Sequence, residues 1–289
     1  MELLFDAKCT LGEGPCWDEG IARLVFVDIE EKGVHVYDPG TGHDEFIHVG
    51  DYVGAAVPRE SGGLVLALSH GFYHLDLESR KLSLIGEAEP GVSYNRFNDG
   101  KCDAAGRFWA GTMNRDESAR TGSLYCLETD LSIRRVITDV GVSNGLGWSP
   151  DNKTMYYIDT STQKVVAYDF DLSTGEIDNQ RVVVEITDGS PDGMSVDAEG
   201  MLWIAHWDGW RISRWDPNRG TLLQEWMLPV ARVTSCAFGP SLASGESPLY
   251  ITTARSRLSS VDLANQPHAG SLFRLTVSTK GQPTYSFRG

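Results

Sequence analysis

The 289-residue chain predicts an all-β fold, a six-bladed β-propeller with a central channel, on three observations. A short apolar run returns six times along the sequence, turn chemistry precedes the runs, and almost no segment keeps a 3.6-residue apolar period. The runs are Leu24-Val25-Phe26-Val27, Leu64-Val65-Leu66-Ala67, Phe108-Trp109-Ala110-Gly111, Met155-Tyr156-Tyr157-Ile158, Leu202-Trp203-Ile204-Ala205 and Leu249-Tyr250-Ile251-Thr252, and their starts lie 40 to 47 residues apart. That spacing is the length of one four-stranded blade.

Each run is too short for a helix and is rich in β-branched and aromatic residues, as a buried strand requires. Turns such as Glu60-Ser61-Gly62-Gly63, Asp103-Ala104-Ala105-Gly106 and Asp197-Ala198-Glu199-Gly200 deliver the chain into these strands. Alternating segments follow, among them Val34-His35-Val36-Tyr37, Val165-Val166-Ala167-Tyr168 and Ile212-Ser213-Arg214-Trp215, and supply the next strand of each blade. Equal spacing from end to end argues for one domain over residues 1–289 rather than a sandwich or two β-domains. The last blade needs an outer strand to close the ring, and either Leu3-Leu4-Phe5 or Thr284-Tyr285-Ser286-Phe287 can provide it.

The formal net charge of −15 excludes a phosphate-backbone partner, which needs a basic stripe. The amino terminus carries no basic region followed by a long apolar run, and no segment reaches the roughly 20 apolar residues of a membrane span. The expectation is a soluble cytoplasmic protein, a monomer or weak oligomer. Cys9, Cys16, Cys102, Cys126 and Cys236 are scattered and show no CxxC spacing, so neither a disulfide framework nor a thiolate zinc site is indicated.

The first strand of every propeller blade lines the channel, so equivalent repeat positions face one axial site. Ten or eleven residues before the run starts stand Glu13, Gly54, Asn98, Asn144 and Asp192, with Thr234-Ser235 at the comparable point of the sixth repeat. Carboxylates buried at a channel mouth without a lysine beside them call for a cation. Glu13, Asn144 and Asp192 together form an all-oxygen set suited to one divalent ion, Ca²⁺ first, with Mg²⁺ or Mn²⁺ close behind and Zn²⁺ less favoured by ligand type.

Five strings in order, Leu11-Gly12-Glu13-Gly14-Pro15, Asn95-Arg96-Phe97-Asn98-Asp99-Gly100-Lys101, Ser143-Asn144-Gly145-Leu146-Gly147-Trp148, Pro191-Asp192-Gly193-Met194-Ser195-Val196 and Thr234-Ser235-Cys236-Ala237-Phe238-Gly239, resemble the gluconolactonase / senescence marker protein (regucalcin) family nearly end to end. The resemblance implies a six-bladed propeller that opens sugar lactones. It also implies a cation on Glu13, Asn144 and Asp192, substrate contacts from Arg96 and Asn98, and Asp192 as the base. Relatives carry an acidic residue in the loop before the segment matching Gly122-Ser123-Leu124-Tyr125. Here that loop reads Asp116-Glu117-Ser118-Ala119-Arg120-Thr121, which leaves the reach of Glu117 and the preferred lactone open.

A lactone is a cyclic ester, and its hydrolysis builds negative charge on the carbonyl oxygen, which a Lewis acid stabilises. The Arg96 fork suits a polyhydroxylated ring, and Asn98 offers a donor and an acceptor. Asp99, before Gly100, reads as a turn residue that supports the loop, and its functional role, if any, is to support the site residues from behind. His206 and His70 each adjoin an apolar run and read more readily as satisfied strand histidines than as catalytic ones. No GxSxG elbow is present, so an acyl-enzyme finds no support. Other readings of the same site are phosphotriester hydrolysis, a calcium-binding regulatory protein without turnover, and an interaction scaffold.

Overall fold

A computed structural model describes all residues 1–289 and contains six four-stranded antiparallel sheets. Blade 1 comprises Gly12–Asp18, Arg23–Asp28, Gly33–Asp38 and His43–His48, and blade 2 comprises Val53–Pro58, Leu64–Leu68, Gly71–Leu75 and Leu82–Glu87. Blade 3 follows with Asn95–Cys102, Phe108–Asn114, Gly122–Leu127 and Ile133–Val140, and blade 4 with Ser143–Trp148, Thr154–Asp159, Lys164–Asp171 and Glu176–Glu185. Blade 5 is Ser190–Val196, Leu202–Trp207, Arg211–Asp216 and Thr221–Met227. Blade 6 is Val233–Phe238, Ser247–Thr253 and Leu272–Val277, completed on its outer edge by Glu2–Phe5 from the amino terminus. The one α-helix, Ser260–Asn265, is a six-residue turn inside blade 6, and no helix is long and apolar enough to cross a membrane.

Six apolar clusters occupy the six joints between neighbouring blades, and this explains why the landmark runs are apolar at nearly every position. Side chains alternate across a strand, so Met155 and Tyr157 pack toward blade 3 while Tyr156 and Ile158 pack toward blade 5. Both faces of the sheet are buried, which removes the usual polar alternation. The largest enclosed side chains, Trp109 and Trp203, anchor two joints. Each donates its indole N–H to the buried aspartate of the preceding turn, Asp103 at 3.0 Å and Asp197 at 2.9 Å.

Of the two candidate closing segments, the amino-terminal one supplies the strand. Glu2, Leu3 and Phe5 pair with Arg274, Phe273 and Leu272, and the Phe5 ring stacks on Tyr37. The carboxyl-terminal segment instead runs under the ring. Gln282 donates to the Trp148 carbonyl at 2.8 Å, Phe287 is fully buried between blades 2 and 3, and the Arg288 amide reaches the Gly106 carbonyl. Residues 282–285 cap a small cavity of about 80 Å³ at that end of the channel.

The register of all six innermost strands shifts at the same level. The irregularities fall between Glu13 and Cys16, Val53 and Ala55, Phe97 and Gly100, Ser143 and Leu146, Pro191 and Met194, and Val233 and Ser235. A bulge re-aims side chains that a regular strand would turn into the blade joint. Here it presents the polar residues of the repeat to the axis. Close approach is part of the same device: a Cβ on Gly145 would lie 2.6 Å from Met194 Cβ and 2.8 Å from the Asp192 carbonyl oxygen. Only glycine lets blades 4 and 5 converge there.

Candidate functional site

The bulges open into a cavity of about 660 Å³ whose floor carries Glu13, Arg96, Asn98, Asn144 and Asp192. All five residues named from the sequence therefore meet in one place, drawn from blades 1, 3, 4 and 5. Glu13, Asn98, Asn144 and Asp192 are each less than a tenth exposed. Glu13 accepts the Gly14 amide at 2.9 Å, and Gly14 holds a φ of 52° to make that contact. Arg96 Nη1 donates to Asn98 Oδ1 at 2.7 Å and to the Phe97 carbonyl at 3.0 Å, and Asn98 Nδ2 donates to the Ser143 carbonyl at 2.8 Å. Arg96 also lines the cavity.

Two buried oxygens on this floor have no hydrogen-bond partner, Asn144 Oδ1 and Asp192 Oδ1. The electrostatics are only partly compensated. Burial pushes Glu13 from an ordinary 4.5 up to about 8, helped by the charge of Asp99 and opposed by the Gly14 amide and Arg96. Asp192 is raised well above the carboxylate range by burial and by Glu13 and Asp99. Arg96 is lowered to about 10 by burial, with Glu13 resisting. One guanidinium thus serves a nest of carboxylates that repel one another.

Orphaned oxygens and mutually repelling carboxylates are what a cation would relieve. The donors are two carboxylates and an amide, with no group of three His, Cys, Asp or Glu side chains converging. That set suits a hard divalent ion with positions left for water or substrate. The residues present fit the group.

Asp99 differs from its reading as a turn support. Asp99-Gly100 lies within the strand Asn95–Cys102, where a bulge replaces a turn, and the carboxylate is buried beside Glu13 and Asp192. Burial raises its proton affinity, while the Lys101 ammonium below opposes that rise. Glu117 does reach the cavity: it lines the wall and bonds Arg257 of blade 6 at 2.7 Å across the mouth. His206 turns away from the cavity. Its Nε2 meets Ser213 Oγ at 2.6 Å, and burial, then Arg211, lowers it to about 4, so it stays neutral. His70 also lies outside the lining.

Several wall residues lie outside the repeat count, Arg115, Asp116 and Thr160 among them. Arg115 lies 5.1 Å over the Tyr52 ring and donates to the Asn95 carbonyl at 3.0 Å, Asp116 follows it, and Thr160 lines the cavity beside Asn144. They come from the segments that follow the second strands of blades 3 and 4, where no repeat register points to the axis.

A family model described as the SMP-30/Gluconolactonase/LRE-like region matches residues 11–255. Regucalcin from Bos taurus is 39% identical over 297 residues, with 100% of this chain and 98% of the relative covered. Regucalcin from Danio rerio is 40% identical, with the same shares covered. Among solved structures, a luciferin-regenerating enzyme superposes with a TM-score of 0.91 at 34% identity, covering 98% of this chain and 97% of its own. A regucalcin from Agrobacterium tumefaciens, described as a calcium-binding protein, gives 0.94 at 27% identity, covering 100% and 97%.

Proposed function

We propose that this chain, which belongs to the SMP-30/gluconolactonase/LRE-like family, is a metal-dependent lactonase that opens a sugar lactone to its aldonic acid. The observation that carries the proposal is the pair of unpartnered oxygens, Asn144 Oδ1 and Asp192 Oδ1, beside Glu13 on the floor of a polar cavity. Bound there, a divalent cation, Ca²⁺ before Zn²⁺, Mn²⁺ or Mg²⁺, supplies Lewis-acid polarisation of the lactone carbonyl. The protein's own groups do the rest.

Arg96, braced through Nη1 against Asn98 and the Phe97 carbonyl, keeps its remaining N–H donors for ring hydroxyls and for the oxygen that gains charge. Asn98 is itself fixed by the Ser143 carbonyl, so its contact with substrate is pre-aligned. Asp192 accepts a proton from the attacking water as the new C–O bond forms. The ring C–O bond then breaks, and the proton passes to the departing alkoxide. In the metal-free protein burial, Glu13 and Asp99 favour the protonated Asp192, and a bound cation would restore the carboxylate that acts as base.

The test is acid release from glucono-, galactono- and xylono-lactones, followed with a pH indicator on chelator-treated protein supplied with Ca²⁺, Mg²⁺, Mn²⁺ or Zn²⁺ in turn. Release with at least one pair, lost in Asp192→Ala and Glu13→Ala while the fold survives, is the expected result. Release no faster than the spontaneous rate with every pair overturns the lactonase. Calcium binding without turnover would then favour the second reading, a calcium-binding regulatory protein, which rests on the same donor set and on the Agrobacterium tumefaciens regucalcin described as a calcium-binding protein.

A further inference from the structure

Thr160 sits at the start of a short 3₁₀ turn, Thr160–Thr162, on the rim of the cavity. Its backbone is fixed: the Thr160 amide donates to the Val142 carbonyl at 3.0 Å. The preceding Asp159 accepts from Gly141, Val142, Ser161 and Arg120. Threonine is stiff at χ1, so this backbone also fixes the hydroxyl.

That hydroxyl makes two contacts. It lies 2.7 Å from the Pro191 carbonyl oxygen, which can only accept, and 2.9 Å from Asn144 Nδ2. A hydroxyl has one proton, and here the proton is committed to Pro191. Toward Asn144 the oxygen can therefore only accept. The Asn144 amide must turn its NH₂ to Thr160 and its Oδ1 to the channel floor, where Oδ1 is buried without a partner. An asparagine left free would present either end.

We infer that Thr160 is a positioning residue for the cation site, one hydroxyl that sets the polarity of the Asn144 amide and ties that ligand to the backbone immediately before Asp192. The inference rests on the proposed cation site and adds to it the group that makes asparagine an oxygen ligand. It also explains how a neutral amide serves between two carboxylates without losing its orientation.

The test is the dissociation constant for Ca²⁺, measured by calorimetry on the chelator-treated full chain. Thr160→Val keeps the shape and branching but removes the hydroxyl, and it weakens binding by roughly 10- to 100-fold, the usual cost of losing a partner behind a metal ligand. Thr160→Ser restores binding to near the wild-type value. Asn144→Asp carries an oxygen whichever way it faces, so in that background Thr160→Val changes affinity by no more than about twofold. Equal binding by wild type and Thr160→Val overturns the inference and leaves the cation site standing. An undiminished penalty in the Asn144→Asp background overturns it too, since a packing role does not depend on amide polarity. A wild-type chain that binds no divalent cation overturns this inference and the proposed function together.

Discussion

Glu13 shows how a single residue records the cost of the site. A carboxyl whose proton affinity is higher folded than unfolded binds more protons in the native state between its ordinary 4.5 and about 8. Native stability must then fall as pH rises through that window, by at most about 1.4 kcal/mol per pH unit for each such proton. Asp192 and Asp99 act in the same direction. His206, lowered from 6.5 to about 4, acts in the opposite sense only below 6.5, so the effect is read between pH 6.5 and 8. Chelator-treated protein is expected to melt at progressively lower temperature across that range, and protein saturated with Ca²⁺ to melt at nearly constant temperature. Equal slopes with and without cation would show that the carboxylates are not its ligands. At this scale the sequence was informative where a residue type recurred in register, as Glu13, Asn144 and Asp192 do. Asp99 was misread because Asp-Gly is turn chemistry in isolation, and only strand pairing reveals a bulge. Thr160 stayed silent because one hydroxyl's proton count matters only once both neighbours are in place.

Individual elements carry the repeat. The turn before each landmark strand in blades 3 and 5 is held by an aspartate that accepts two amides of its own turn and the indole of the strand that follows. In blade 5, Asp197 accepts from Glu199, Met201 and Trp203, and it also pairs with Arg214 at 2.8 Å. Asp197 is fully buried, so its removal orphans three donors and leaves the Arg214 guanidinium with Glu199 as its remaining carboxylate. Asp197→Ala is expected to lower stability by roughly 3 to 5 kcal/mol by denaturant unfolding, while Ca²⁺ affinity of the folded fraction is unchanged. A loss below about 1 kcal/mol would mean that the turn holds itself. These strands were legible because both faces are apolar, which leaves a run that no surface strand or amphipathic helix imitates. The outer strands were less legible: Thr221–Met227 is mostly exposed and carries little pattern beyond its place after the turn.

The whole ring follows from closure at two ends of the chain. The amino-terminal strand completes blade 6, while the carboxyl-terminal segment braces blades 2, 3 and 4 from below. Apolar character at both ends left the choice of closing strand undecided, since Leu3-Leu4-Phe5 and Thr284–Phe287 read alike until one is seen to pair and the other to plug. Closure draws the six bulges to one level and brings Glu13 and Asp192 into one cavity. The central claim is that a single cation on Glu13, Asn144 and Asp192 drives lactone opening. It is tested most directly by the initial rate of gluconolactone hydrolysis as Ca²⁺ is added stepwise to chelator-stripped protein at concentrations well above the dissociation constant. The rate is expected to climb linearly to one equivalent and then level, with Asp192→Asn flat throughout. Enzymatic hydrolysis that survives chelation undiminished, or that responds equally in Asp192→Asn, would contradict it.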